Sequence, residues 1–106
     1  MRLEEEECEP IDQGATPLTA DEAEALLPEA PGWTLNDSTI MRELEFDTFR
    51  EAIDFVDGVA DLAESQDHHP DIYISFKNVR LELSTHMIAG LSRNDFILAA
   101  KINELV

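Results

Sequence analysis

The chain has 106 residues, of which 24 are acidic and 7 are Lys or Arg, so its formal net charge is −17 with 43% hydrophobic residues. That length and apolar fraction suit one domain with a single modest core. No cluster of Lys and Arg exists to neutralise phosphates, which argues against direct nucleic-acid contact, and no run approaches the roughly 18 apolar residues of a membrane span.

The N-terminal MRLEEEECEP has no apolar stretch of signal-peptide type. Cys8 is the single cysteine, with no second thiol for a disulfide or a zinc site. A cytoplasmic protein is expected. Residues 1–17 read as an acidic, disordered tail, because the Glu4–Glu7 run, Pro10, Gly14 and Pro17 offer no periodic apolar face. The folded domain is expected over 18–106.

Thr19 and Glu22 form a capping box, and Ala23, Leu26 and Leu27 give a short helix one apolar face. Pro28, Pro31 and Gly32 stop it. Trp33 and Leu35 open a short strand. Asn36, Asp37 and Ser38 make a turn, after which Ile40, Leu44 and Phe46 alternate with Met41, Glu43 and Glu45 as in a half-buried strand. Thr48 and Glu51 are a second capping box. Behind it, Phe49, Ala52, Ile53, Val56, Val59, Ala60 and Ala63 follow helical spacing, opposite Arg50, Asp54, Asp57, Asp61 and Glu64. Pro70 ends this helix, because it disfavours helical backbone at His69.

Ile72, Ile74 and Phe76 then alternate with Tyr73, Ser75 and Lys77. Lys77 and Asn78 are placed to turn the chain into a strand with Val79, Leu81, Leu83 and Thr85 on one face and Arg80, Glu82, Ser84 and His86 on the other. Gly90 breaks that strand. Ser92 and Asp95 are a third capping box, opening a helix over about 93–105. The order α-β-β-α-β-β-α predicts an α+β fold, a four-stranded antiparallel sheet with three helices packed on one face. The run FILAAKI at 96–102 has more apolar positions than one core face needs, which suggests a contact between identical subunits.

The acids are spread through the chain as well as clustered at its start. Repulsion at this density opposes a compact state at low salt, and screening at about 1 M shortens the Debye length to about 3 Å. A halophilic protein of a salt-rich cytoplasm is the expectation; the plainer alternative is an acidic protein with an acidic tail.

Two of the three histidines, His68 and His69, stand side by side between a helix end and a strand, and His86 follows the last strand. A hairpin would carry His86 back beside the pair. Asp67 is adjacent and Glu64 lies one helical turn earlier; nearby carboxylates fix a tautomer and favour the protonated imidazole. Three readings compete. The histidines could complement the negative end of the helix dipole. They could bind a metal, although the spacing matches no zinc motif. They could be metal-free acid and base groups acting on a small polar substrate.

The motif DHHP at 67–70, followed by STH at 84–86 and by AGLS ahead of Asp95, resembles the pterin-4a-carbinolamine dehydratase family. LLPEAPGW at 26–33 resembles the family's entry segment, so the likeness runs from about Leu18 to Leu105. It implies dehydration of 4a-hydroxytetrahydropterin to quinonoid dihydropterin, without metal or cofactor, in tetrahydrobiopterin recycling. It implies a homodimer or homotetramer, and a pathway shared with an aromatic amino-acid hydroxylase. By resemblance His68, His69 and His86 are the catalytic histidines. Pterin contacts fall on Asp67, His68, His69, Ser84, Thr85 and His86, with Glu64 and Trp33 lining the pocket. One position departs: relatives often carry arginine directly before the first-turn aspartate of the last helix, where this chain has Asn94, with Arg93 one residue earlier. The alternatives are a non-catalytic pterin-binding or dimerisation module, and action on a pterin related to the molybdenum cofactor.

Overall fold

The structure, a computed structural model, describes residues 2–106; Met1 lies outside them. Helix α1 (Ala20–Leu26), strands β1 (Thr34–Asn36) and β2 (Thr39–Glu45), helix α2 (Phe49–Gln66), strands β3 (Asp71–Ser75) and β4 (Asn78–Leu83) and helix α3 (Arg93–Asn103) follow the expected order. The strands form one antiparallel sheet in the order β1-β2-β4-β3. No described helix is long and apolar enough to cross a membrane.

Strand alternation decides which face the helices cover. Ile40 pairs with Leu83, Leu44 with Val79 and Ile72 with Leu81, so these side chains share one face. That face meets Ala23 of α1, Ala52, Phe55 and Val59 of α2, and Phe96, Leu98, Ala99 and Ile102 of α3 in a single core. Each large aliphatic or aromatic side chain enclosed there contributes about 1.5–3 kcal/mol of transfer free energy. The opposite face carries Glu43, Glu45, Asn78 and Arg80, with the Arg80 guanidinium 4.4 Å from the Tyr73 ring centroid.

The capping boxes expected at Thr19 and Ser92 are formed, and Thr48 accepts from the Glu51 N–H at 3.1 Å. The face of α2 is rotated from expectation. Phe55 belongs to the core, whereas Phe49 and Ala60 are exposed, because burial follows 52, 55, 59 and 63. The β3–β4 turn is also displaced by one residue. Ser75 pairs with Asn78, so the turn is Phe76-Lys77, with Phe76 in the left-handed region at φ 55°. An exposed phenylalanine carries no turn signal, and Asn78 does. The last strand ends at Leu83, and Thr85 instead bridges Gly90 around a short 3-10 turn over His86–Ile88. Gly90 serves close approach: a Cβ there would lie 2.6 Å from Pro17 Cβ.

The largest difference lies at the start of the chain. Leu3 is fully enclosed, in a 3-10 turn (Leu3–Glu5) laid against α3. Arg93 makes a double hydrogen bond to the Glu6 carboxylate, at 2.9 and 2.7 Å, and Lys101 Nζ donates to the Glu4 carbonyl at 3.0 Å. The expected disordered tail is therefore, over residues 3–9, a docked strap. Its glutamates concealed the signal, because Leu3 has no periodic apolar neighbours.

This strap also accounts for the surplus apolar positions of FILAAKI. Phe96, Ile97, Leu98, Ala99, Ala100 and Ile102 are all buried within the subunit. The expected oligomer contact through α3 thus lacks the exposed apolar face on which it rested.

Asp54, Asp57, Asp61 and Glu64 do line the exposed side of α2. Replacing several of these acids with their amides is expected to raise the melting temperature at 0.1 M salt and to reduce the gain on going to about 1 M, where the Debye length falls from about 10 to 3 Å. Thermal melts of parent and variant at both salts check this. Equal salt dependence would show that carboxylate repulsion is not the cause.

Candidate active site

The end of α2 sets the geometry of the histidine pair. Asp67 takes the left-handed conformation, φ 51°, and its N–H closes the helix on the Ala63 and Glu64 carbonyls. The chain then reverses, and the two imidazoles part. His68 turns inward: its side chain is 12% exposed and its Nε2 lies 2.6 Å from Asp95 Oδ1. His69 turns back along the helix, where its Nε2 lies 2.5 Å from Glu64 Oε2, and it remains 54% exposed. His86, at the start of the 3-10 turn, is 76% exposed, with Nε2 3.9 Å from Asp71 Oδ2.

Asp95 is fully buried. Its Oδ2 accepts from the Ser92 N–H and from the Thr85 hydroxyl, each at 2.9 Å, while Oδ1 faces His68. Because the Thr85 hydroxyl donates to Asp95, it accepts from Ser92 Oγ, 2.7 Å away. An ionised carboxylate only accepts, so His68 presents Nε2–H to Oδ1 and Nδ1 is the remaining ring nitrogen. Neutral, that nitrogen is a base; protonated, it is an acid.

The three histidines line one cavity of about 240 Å³ with Asp67, Ser84, Thr85 and Met87. A second, of about 280 Å³, shares Asp67, His68, Thr85 and Met87 and is also lined by Cys8 and Glu9 at the end of the strap and by Pro10 and Ile11 just beyond it. A larger hollow, about 380 Å³, lies on the outer sheet face between Glu43, Tyr73 and Arg80 and contains none of the histidines. Among the described residues, no group of three or more His, Cys, Asp or Glu side chains is placed to hold a metal ion. Cys8 beside His68 is a poor nucleophile, since burial pushes its thiol up to about 11.

Of the residues expected at the site, His68, His69, His86, Asp67, Ser84 and Thr85 come together. Glu64 joins through His69. Trp33 does not: it is buried, and its indole N–H donates to Asn103 Oδ1 at 2.9 Å, at the far end of α3. Eight helical residues separate Asn103 from Asp95, about 12 Å. Asp95 was legible as a capping residue but not as the partner of His68; an acid in a capping box beside an otherwise apolar run was the available signal. Asn94 and Arg93 both face the strap, Asn94 through the Glu9 backbone at 3.0 and 2.6 Å.

Residues 16–105 match the family described as pterin 4 alpha carbinolamine dehydratase. A Methylococcus capsulatus protein carrying that dehydratase name provisionally is 47% identical, over 97% of this chain and 92% of its own length. A likewise named protein of Halorhodospira halophila is 39% identical, over 99% of this chain and 98% of its own. The crystal structure of a transcriptional coactivator/pterin dehydratase from Brucella melitensis superposes with a TM-score of 0.80 at 30% identity, covering 85% of this chain and 98% of that one. A pterin dehydratase-like RuBisCO assembly factor of the alpha-carboxysome, at 19% identity and a TM-score of 0.57, covers 69% of this chain and 84% of that one and shares the fold alone.

Asp95→Ala removes three acceptor contacts and a helix cap at once. It is expected to cost about 2–4 kcal/mol of folding stability, from the lost cap and charge-assisted bonds. Urea unfolding of the two proteins measures this; a difference below about 1 kcal/mol would mean that the buried carboxylate does not tie the site together.

Proposed function

Because the chain belongs to the pterin-4a-carbinolamine dehydratase family, whose curated relatives carry the name of a lyase, we propose that it dehydrates a 4a-hydroxytetrahydropterin to the quinonoid dihydropterin by histidine acid–base catalysis. The observation that carries this reading is the shared cavity of His68, His69 and His86, with His68 held by a buried carboxylate.

The reaction asks for little else. An acid delivers a proton to the 4a oxygen, the C4a–O bond breaks, and water departs. A base removes the proton of the adjacent ring N–H, and that electron pair forms the C=N bond. Atoms and charge balance with the loss of one water. His68 suits the base role: Nε2–H is engaged by Asp95, which leaves the Nδ1 lone pair and supports the imidazolium that forms. The more exposed His69 and His86 suit proton delivery, since each has a carboxylate beside it and open access to water. Ser84 adds a polar group for the amide-like edge of the pterin, while Thr85, its hydroxyl engaged by Asp95 and Ser92, shapes the wall beside it. Each acid or base contribution is worth about 10²–10⁴ in rate.

Tetrahydrobiopterin recycling beside an aromatic amino-acid hydroxylase, and a cytoplasmic setting, belong to the same proposal. So does assembly as a homodimer or homotetramer, for which the exposed Tyr73, Ile74 and Phe76 at β3 and its turn are one stretch of apolar side chains. The Brucella melitensis neighbour is named both a transcriptional coactivator and a pterin dehydratase, so a role in protein interaction, as a non-catalytic module, is the second reading.

His68→Ala and His86→Ala are each expected to lower dehydratase turnover at least about tenfold while circular dichroism stays that of the parent. Chelator-treated protein should keep full activity. Near-normal turnover in both folded variants would reject the catalytic assignment, and activity restored only by added zinc would replace it with a metal mechanism.

A further inference from the structure

We propose that the end of the N-terminal strap and the Pro10-Ile11 segment that continues it form a substrate-recognition wall, in a groove also lined by Met87, for the uncharged substituent a pterin carries beyond its reacting ring. This rests on the dehydratase reading above.

The strap is tied to the same two helix ends that supply the buried pair. The Cys8 N–H donates to Gln66 Oε1 at 2.8 Å, and Gln66 is the last residue of α2, two before His68. The Glu9 backbone makes its double contact with Asn94, directly before Asp95. A shift of the strap is therefore a shift relative to His68 and Asp95. The two cavities adjoin, with Asp67, His68, Thr85 and Met87 lining both. Of the three histidines, the strap-side cavity holds only His68. The reacting ring belongs where all three meet, and whatever projects past His68 enters the groove. Pro10, Ile11 and Met87 offer apolar contact, and the Gln66 and Asn94 amides that also line the groove are engaged by the strap. Glu9 and Asp67 border the groove and no Lys or Arg does, which disfavours a substituent ending in phosphate or carboxylate.

Ile11→Ser tests this, since Ile11 is only partly buried and lies outside the core cluster. Turnover is measured at low salt on three 4a-carbinolamines: one with a dihydroxypropyl substituent, its phosphate monoester, and one with only a methyl group. In the variant, KM for the dihydroxypropyl substrate is expected to rise roughly three- to tenfold, with kcat within twofold and the methyl substrate unchanged. The parent is expected to prefer the neutral dihydroxypropyl substrate to its phosphate by about tenfold, and Glu9→Gln to narrow that preference. An active parent with unchanged KM in Ile11→Ser, or equal losses on the dihydroxypropyl and methyl substrates, overturns the recognition role alone. An active parent that favours the phosphate overturns the charge selection. A folded parent inactive on all three overturns the dehydratase reading and the wall with it.

Discussion

Asp95 has no contact with water, yet its carboxylate is met by donors from three separate parts of the chain: His68 after α2, Thr85 after β4, and Ser92 at the cap of α3. Burying a charged group without partners costs several kcal/mol, so the fold is held to an arrangement in which all three arrive together. One constraint thereby sets the inward turn of His68, the route of the loop that carries His86, and the position of α3 against the sheet. The His68 imidazole and the helix cap are answered by the two oxygens of one carboxylate.

The parts of this arrangement that follow local rules were legible in the sequence. Capping boxes, proline stops and alternating strands placed each helix and strand within a few residues, and the order of elements implied the sheet. Errors arose where tertiary contact overrode a local signal. Phe76 occupies a left-handed turn position that its side chain does not advertise, so the hairpin register was read one residue late. Phe55 lies on the buried side of α2 because the sheet, and not the helix alone, chooses the face. Convergence of His68, His69 and His86 was legible because a hairpin has one way to return. The side chain that fixes His68 was not, since a capping aspartate in solvent and one in the interior have the same sequence signature.

The two neighbouring histidines also show how residues adjacent in sequence can occupy two different environments. With Asp67 in the left-handed region, His68 is enclosed against Asp95 and His69 is returned to Glu64 on the surface. One imidazole is enclosed against a buried carboxylate, and the other is open to solvent. A site that must both take and give a proton benefits from this inequality, and it needs no residue beyond those that end the helix.

The strap closes the chain on itself: Glu4 is bonded to Lys101 across 97 positions, and Glu9 to Asn94 across 85. The strap thus waits for α3 before it can dock. On a ribosome it emerges long before α3, and it stays uncovered until α3 has followed. Contacts of this sequence separation carry the largest loop-closure entropy and tend to form late. The groove beside His68 is then a product of the final folding step, and a nascent chain that already possesses its sheet and its histidines has no such groove.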